Sequence, residues 1–248
     1  MRFAFRFRPV ALIAALIVAL IGILLGNWQQ DRAAYKTELQ ARQLARAAEP
    51  PLTLSATTAT ATTATAPAPA LEFRRVRVHG EFVAGWPVLL ANRPRATQSG
   101  FYLAMPFKIA GADTHVLVLR GWLPRQAEFD KLPPFATPAG LVTLEGRLVL
   151  SAGKVMELGD GPPLAPGAAV QNLTPQALAQ ASGLRLLPFV VQQTLPATSA
   201  DPMVRDWPLP DAGIDKHRGY AFQWYALAAL ALLFYVMTGF RRGSRTTR

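Results

Sequence analysis

The residues of this chain best suited to binding chemistry lie near its end, where a single histidine precedes a long apolar segment. His217 is followed by Tyr220, Gln223 and Trp224, and the chain then runs apolar to Phe240. Positions 217, 220 and 224 are spaced at i, i+3 and i+7, which places the three side chains on one face of a helix. Ionisable groups at the edge of a bilayer are costly to keep. The pattern predicts a site in which an imidazole reaches a cofactor dissolved in lipid.

The same residues also have a plainer interpretation as membrane anchors. A histidine at this depth can hydrogen-bond to a lipid headgroup or a helix-end carbonyl, and Tyr220, Trp224 and Tyr225 can form the aromatic belt of an ordinary span. Gln223 fits this interpretation less well, because an unsatisfied amide in lipid costs several kcal/mol as an order of magnitude. We expect Gln223 to face another helix or a polar ligand, and the residues alone leave both interpretations of His217 open.

Two segments have the length and composition of membrane spans. Residues 10–26 carry no polar side chain, and residues 219–240 carry few; a helix needs about 17–25 mostly apolar residues to cross a bilayer. A cleaved signal peptide is the weaker interpretation of the first segment, because its apolar run is long and no small-x-small cleavage site follows directly. We also expect a bacterial source, because the first span begins too early for an organelle presequence.

The charges at the two ends predict the orientation. Arg2, Arg6 and Arg8 precede the first span, four arginines follow the second, and neither end carries an acidic residue. These arginines supply most of the formal net charge of +11. By the positive-inside tendency, both termini are expected in the cytoplasm and the middle in the periplasm, as a two-span protein of the bacterial inner membrane. Because the excess charge sits at the ends, it does not indicate nucleic-acid binding.

We therefore divide the chain into seven parts. A helical extension after the first span is indicated by Glu38 and Arg42, which are four residues apart. The low-complexity Ala/Thr/Pro stretch that follows is expected to be a flexible linker. The predicted parts are a cytoplasmic N-tail (1–9), a first span (10–26), a helical extension (27–49), a linker (50–70), a periplasmic β-rich domain (71–215), a second span with its interfacial histidine (216–240) and a cytoplasmic C-tail (241–248).

The middle of the chain is rich in predicted strands. Apolar and polar residues alternate in residues 75–82, 101–107 and 142–150, whereas 115–120 and 186–192 are more continuously apolar. Residues 175–182 predict one short helix, with Thr174 as its N-cap and Gly183 at its C-terminal cap. The fold class is therefore predicted as an α+β membrane protein. Two end helices flank a mainly antiparallel, barrel-like or sandwich-like β-rich domain with a short helix.

Signatures of enzymes are missing from the sequence. No nucleophile elbow, P-loop, zinc-protease motif or dinucleotide-binding motif is present. His79 falls on the polar face of a strand, where we expect a solvated role, and His115 follows Asp113 closely enough for a local hydrogen bond. The chain has no cysteine, which excludes disulfides and covalent c-type haem attachment. The sequence therefore predicts a protein that is not an enzyme.

At this point the residues resemble a known family. The chain is similar to the SURF1 family of membrane proteins, which help to assemble cytochrome c oxidase. Four stretches in the right order carry the resemblance: Leu25-Gly26-Asn27-Trp28-Gln29 with Arg32 and Lys36; Leu89-Leu90-Ala91-Asn92-Arg93 followed by Gly100, Phe101, Tyr102 and Pro106; residues 116–124, which include Arg120-Gly121-Trp122; and His217 with Tyr220-Ala221 and Gln223-Trp224-Tyr225. The linker and Arg218 depart from the family pattern.

The resemblance implies a role in maturing the haem-bearing subunit of an aa3-type oxidase, with haem a as the cofactor. It implies that His217 is an axial ligand of the haem iron. The other residues expected at the haem are Tyr220, Gln223, Trp224, Arg218, Trp28, Gln29 and Arg32. Expected partners are that oxidase subunit, the lipid bilayer and haem a synthase. The alternative is a scaffold that binds no haem and stabilises an oxidase assembly intermediate through protein contacts.

Four residues of the outer domain form a further candidate surface. Asn92, Arg93, Arg120 and Trp122 fall at predicted strand ends, where they can contact the oxidase subunit or another assembly factor. Their structural alternative is that Trp122 lies in the core, Gly121 makes a turn and the arginines bind nearby carbonyl groups.

Overall fold

The computed structural model describes residues 3–5, 7–57, 68–126, 133–156, 161–195, 201, 203–207 and 213–242. The chain forms two compact units, which are described separately: residues 1–41 with 208–248, and residues 42–207. The central part of the predicted linker, and the tail residues Arg2, Arg6, Arg245 and Arg248, lie outside the described residues.

Three α-helices and ten strands are assigned in these residues. The helices are α1 (Pro9–Ala48), α2 (Pro175–Ser182) and α3 (Ile214–Gly239). The strands are β1 (Phe3–Phe5), β2 (Leu52–Leu54), β3 (Arg75–Phe82), β4 (Val88–Leu90), β5 (Gly100–Ile109), β6 (His115–Pro124), β7 (Val142–Val149), β8 (Ala169–Val170), β9 (Leu186–Gln193) and β10 (Phe240–Arg242).

The first unit is built on a pair formed by α1 and α3. Helix α1 opens with Pro9, a residue suited to the first helical turn because it has no N–H to satisfy there. The helix continues without a break through the two parts that the sequence analysis separates at residue 26. Within the described residues, α1 and α3 are the two helices long and apolar enough to cross a membrane.

Small residues form the seam between these two helices. Ala15, Ala19 and Ala33 of α1 are buried, as are Ala221 and Ala228 of α3. Their spacing by sevens and fours keeps them on one side of each helix. Small side chains let two apolar helices approach closely, which is how helices associate when lipid removes the hydrophobic driving force between them.

The chain ends are joined at one end of this helix pair. Strand β1 pairs antiparallel with β10, with Phe3 opposite Arg242 and Phe5 opposite Phe240. Both ends of the chain therefore lie at the same end of the helix pair.

The second unit is a closed barrel with two short additions. Five strands pair around a ring in the order β3, β7, β9, β6, β5 and back to β3. Strand β2 extends the sheet beside β3, and β4 with β8 extends it beside β5. Most pairings are antiparallel, whereas β2–β3, β4–β8 and β6–β9 are parallel. The prediction of a mainly antiparallel, barrel-like β domain is confirmed.

Two apolar clusters cover the two faces of this barrel sheet. The first contains Val78, Met105, Phe107 and Phe189. The second lies on the other face, where Leu178 of α2 packs with Leu117 and Val190. Because side chains alternate along a strand, the continuously apolar sequence of β6 follows from its burial on both faces.

Local sequence signals place several elements correctly. Strand β3 alternates exposed and buried side chains over its whole length, as the period of two predicts. Helix α2 begins where the hydroxyl of Thr174 accepts a hydrogen bond from the N–H of Ala177, and it ends at Gly183 in the left-handed conformation. Both caps of α2 are confirmed.

Three local expectations need correction. Residues 52–54, which fell in the predicted linker, form β2, and Leu54 is buried in the core. Gly121 makes no turn: it lies inside β6 with φ +155°, where an added Cβ would come within 2.6 Å of the Met203 Cβ. The hydrogen-bond partner of His115 is the backbone carbonyl of Arg185, at 3.3 Å, and not Asp113. In each case the deciding contact comes from a residue distant in sequence.

Candidate functional site

His217 lies in the first turn of α3 and is held by the other helix of the pair. Its side chain is half-buried, and its Nδ1 lies 2.6 Å from the side-chain oxygen of Gln29 on α1. A carbonyl oxygen only accepts hydrogen bonds, so Nδ1 carries the proton that it donates. In the neutral imidazole the lone pair is then on Nε2. This contact joins two residues that the sequence analysis assigned to the site from different helices.

The close approach of α1 and α3 makes this contact possible. A Cβ added at Gly22 would lie 2.9 Å from the Cβ of Ala228, and one added at Gly26 would lie 2.4 Å from the ring of Tyr225. A larger residue at Gly22 would press on the backbone of α3, and a larger residue at Gly26 would press on the ring of Tyr225. The glycines therefore fix the distance across which Gln29 reaches His217.

A second hydrogen bond links the same two helices. The hydroxyl of Tyr225 donates to the side-chain oxygen of Asn27 at 2.7 Å. Asn27 and Gln29 are two residues apart, about 200° around a helix, so their bonds lie on opposite sides of the seam. The sequence analysis did not assign Asn27 or Tyr225 to the site. The available signal was an amide at the end of one span and a tyrosine hydroxyl at the start of the other.

The aromatic residues predicted around His217 are accessible. Tyr220 has 51% of its surface exposed, and Trp224 is half-buried. Helical spacing puts both on the His217 side of α3. Trp28 is 54% exposed, and its side chain leaves α1 about 100° around the helix axis from that of Gln29. Gln223 is exposed and lies farther around α3 from the seam. It therefore does not face α1, and its other expected neighbour, a polar ligand, stays a prediction.

The cationic residues divide between the two sides of the helix pair. Arg218 lines a groove of about 310 Å³ with Gln30, Ala221, Phe222 and Tyr225. This groove is on the Tyr225 side of the seam, away from Tyr220 and Trp224.

Two further cations belong to α1. Arg32 is exposed, and its guanidinium carbon lies 5.8 Å from the ring centre of Tyr35. The ammonium of Lys36 lies near Gly213, at the start of α3. By helical spacing both follow Gln29 along the His217 side of α1.

In the barrel unit, three of the four proposed contact residues are buried. Arg93 donates to the carbonyls of Gly153 and Gln171, at 2.9 and 3.0 Å. The indole N–H of Trp122 donates to the carbonyl of Arg93 at 2.7 Å. These bonds match the structural alternative, because both side chains lie inside the domain. Asn92 is exposed, with φ +56°.

Arg120 is the most deeply buried charged residue among those described. The register shift between β5 and β6 leaves it unpaired as a bulge, since Leu103 faces Gly121 and Ala104 faces Leu119. Its guanidinium donates to the carbonyl of Ala136 at 2.8 Å and lies 3.5 Å from Asp201.

Asp201 completes this buried network. Its carboxylate also pairs with Arg205 and accepts a hydrogen bond from the N–H of Met203. Burial lowers the pKa of Arg120, and the charge of Asp201 opposes that shift. The network ties Asp201 and Arg205 to β6 and explains Arg120 as a structural residue. The sequence analysis missed Asp201 and Arg205, which lie outside any predicted strand.

The geometry defines a class of protein: a barrel domain in a chain whose paired end helices carry an interhelical histidine–amide contact. The sequence profile of the SURF1 family matches residues 16–229. The chain belongs to the SURF1 family. Membership implies a role in the assembly of cytochrome c oxidase, and the family is one of assembly factors with no known enzymatic activity.

Individual relatives agree with this assignment. The chain is 24% identical to a SURF1-like protein of Monosiga brevicollis over 249 aligned positions, covering 94% of this chain and 89% of the relative. It is 29% identical to a SURF1-like protein of Dictyostelium discoideum, over 48% of this chain and 45% of that protein. It is also 29% identical to surfeit locus protein 1 of Rattus norvegicus, over 50% of this chain and 42% of that protein.

Proposed function

We propose that this protein binds haem a at the helix pair and delivers it to the haem-bearing subunit of an aa3-type cytochrome c oxidase. The observation that carries the proposal is the 2.6 Å hydrogen bond between His217 and Gln29. It commits Nδ1 of the imidazole to the protein and leaves the lone pair of Nε2 for a metal. Imidazole is a common axial ligand of haem iron.

The residues on the His217 side suit an amphiphilic porphyrin. Tyr220 and Trp224 offer aromatic surface beside the imidazole, and Trp224 is only partly covered by protein. Arg32 and Lys36 provide the cations that carboxylate side groups require. Haem a supplies the redox-active iron that the oxidase needs. The proposal keeps these residues and His217 in the site.

Three other predicted site residues take different roles in the proposal. Gln29 orients the imidazole and does not touch the haem. Arg218 lies on the other side of the seam, so it is not assigned to the propionates. Trp28 and Gln223 point away from the seam. A haem confined to the His217 side of the helix pair would not contact them. The site is thereby reduced to one face of the helix pair.

A single histidine ligand suits a carrier. The protein would hold a reactive, poorly soluble cofactor and release it when the oxidase subunit offers its own ligands. It would form and break no covalent bond, which agrees with a family of assembly factors. Haem a synthase is the proposed donor and the oxidase subunit the proposed acceptor. Exposed Asn92 remains a proposed contact for one of them.

The proposed location is the inner membrane of a bacterium. Helices α1 and α3 have the length and composition of spans, and the pairing of β1 with β10 supports both termini lying on one side. The arginines at both ends favour the cytoplasm for that side. The barrel unit would then lie in the periplasm.

The test is the haem content of the full-length protein purified in detergent from cells that make haem a. The wild type should show a Soret band and extractable haem a, and His217→Ala should lose most of both. His79→Ala is the matched control, because His79 is an exposed histidine of the barrel that bonds to Thr143. A wild type that copurifies with the oxidase subunit but carries no haem would reject the carrier and favour the haem-free scaffold.

A further inference from the structure

Arg218 is not used by the proposed haem site, although it stands beside the histidine in sequence. It lies on the Tyr225 side of the seam between α1 and α3. Its ion-pair partner is Asp215, at 3.8 Å, and both side chains are largely exposed to solvent. Exposed ion pairs of this kind contribute little to stability. This arginine is therefore available to a stronger anion.

The groove beside Arg218 has an apolar part and a polar part along the helices. Its apolar part, of about 310 Å³, is lined by Ala221, Phe222 and Tyr225, with Gln30 and Arg218 as the polar members. Phe222 is 72% exposed, although it is a large apolar side chain. Such a surface needs a hydrocarbon neighbour.

A second, polar cavity of about 480 Å³ also has Arg218 in its wall. Its other lining residues are Thr37, Gln40, Gly213, Ile214, Asp215 and Lys216. The described lining residues therefore include two cations, a hydroxyl and an amide, and Asp215 is the one acidic residue among them. We call the two cavities together the Arg218 groove. Arg218 stands where the polar cavity meets the apolar one.

We propose that the Arg218 groove binds one anionic phospholipid of the bilayer. The phosphate would lie against Arg218, where the two cavities meet, and an acyl chain would run over Ala221 and Phe222. The supporting argument is charge complementarity, because an arginine near a bilayer surface attracts an anionic headgroup. The inference rests on the membrane placement proposed above but not on haem binding, because His217 and the Arg218 groove are on opposite sides of the seam.

The test is native mass spectrometry of the full-length protein in detergent, titrated with phosphatidylglycerol or phosphatidylcholine. The wild type should bind one phosphatidylglycerol in preference to phosphatidylcholine. Since each cation near a lipid headgroup contributes about 1 kcal/mol, Arg218→Gln should weaken that binding about fivefold. Arg32→Gln is the matched control: it removes the same charge on the other side of the helix pair and should leave the binding unchanged.

Two further measurements separate the occupants. Phe222→Ala should weaken binding of long-chain phosphatidylglycerol more than that of a short-chain form, and inorganic phosphate should not compete at millimolar concentration. Competition by phosphate, equal binding of both lipids, or equal losses in Arg218→Gln and Arg32→Gln would each overturn the proposal. Haem content distinguishes the two proposals. Arg218→Gln should carry as much haem as the wild type. A wild type that carried no haem and still bound phosphatidylglycerol would reject only the haem carrier.

Discussion

The imidazole of His217 and the side-chain amide of Gln29 meet at 2.6 Å, although 188 positions separate them in the chain. The contact crosses from one apolar helix to the other, beside the small-residue seam between them. The orientation of the histidine is thus a property of the helix pair and not of α3 alone. Anything that separates the helices should also release the imidazole.

Loss of the Gln29 amide should change the tautomer of His217. In Gln29→Leu, Nδ1 has no acceptor, so the proton should distribute between the two ring nitrogens. Nitrogen-15 NMR of the haem-free protein, labelled at histidine, should show protonated Nδ1 in the wild type and a mixture in the variant. Haem a content should fall several-fold.

The neighbouring glutamine provides the control for that experiment. Gln30 lies on the Arg218 side of α1, so Gln30→Leu makes the same chemical change without touching His217. Its NMR signals for His217 should match the wild type. If Gln29→Leu also left them unchanged, the hydrogen bond would have no role in orienting the ring.

Enlarging Gly26 should separate the helices. The new Cβ of Gly26→Ala would overlap the ring of Tyr225 and displace it from Asn27. Because the chain has no cysteine, the pairing can be followed by thiol cross-linking between cysteines placed at Gln30 and Phe222, which line the same groove from the two helices. We expect a lower cross-linking yield and less haem.

Gly219→Ala is the matched control for the helix seam. An added Cβ at Gly219 meets no atom within 4 Å, and alanine favours a helix over glycine by about 1 kcal/mol. This variant should cross-link like the wild type. Equal yields from Gly26→Ala and Gly219→Ala would show that the seam is not tight at residue 26.

Removal of the Arg120 charge should strongly destabilise the barrel unit. In Arg120→Leu the buried Asp201 keeps Arg205 but loses its second cation. Breaking a buried ion pair costs roughly 3–5 kcal/mol of folding stability. Because Arg205 still pairs with Asp201, we expect a loss near the lower value. Denaturant unfolding of the full chain, followed by tryptophan fluorescence, measures it.

An exposed ion pair of the same barrel serves as the comparison for Arg120. Arg77 pairs with Glu145 on the outer face, where both side chains are partly exposed. Arg77→Leu should therefore cost less than about 1 kcal/mol. Similar losses for the two arginines would mean that Arg120 contributes no more than a surface charge.

His115 should make the barrel less stable in mild acid. Burial lowers the pKa of His115, and its bond to the Arg185 carbonyl opposes only part of that shift. The unfolded chain therefore binds the proton more readily than the folded one. The contribution of neutral His115 to folding stability is complete at pH values above about 6.5, the ordinary pKa of histidine. It is lost as the pH falls through the lower pKa of the folded state.

Unfolding midpoints at pH 7.5 and 5.5 measure this dependence. The wild type should lose stability at pH 5.5, and His115→Gln should lose less. His79→Gln, which changes an exposed histidine of β3, should retain the wild-type difference. An identical pH dependence in wild type and His115→Gln would assign the acid sensitivity to other groups.

Comparing the predictions for individual residues with the structure shows what local sequence can predict. The faces of β3 follow from alternation, and the caps of α2 follow from Thr174 and Gly183, because each depends on neighbours a few positions away. The burial of Arg120 depends on a bulge and on Asp201, 81 positions later. No pattern within β6 reveals either.

The candidate site was predictable in part for the same reason. His217 and Gln29 were visible in the sequence as polar groups at the ends of apolar segments. Their partners depend on the register of two helices, which places Gln29 against His217 and Gln30 beside Arg218. A one-residue difference in α1 thus separates the two sides of the pair.

The most direct test of the account is whether His217 supplies a nitrogen to haem iron. The full-length protein, labelled with nitrogen-15 histidine and loaded with haem a, can be studied by pulsed electron paramagnetic resonance in the ferric state. We predict a histidine-nitrogen coupling to the iron that disappears in His217→Ala and persists in His79→Ala. A coupling that is unchanged in His217→Ala would contradict the account.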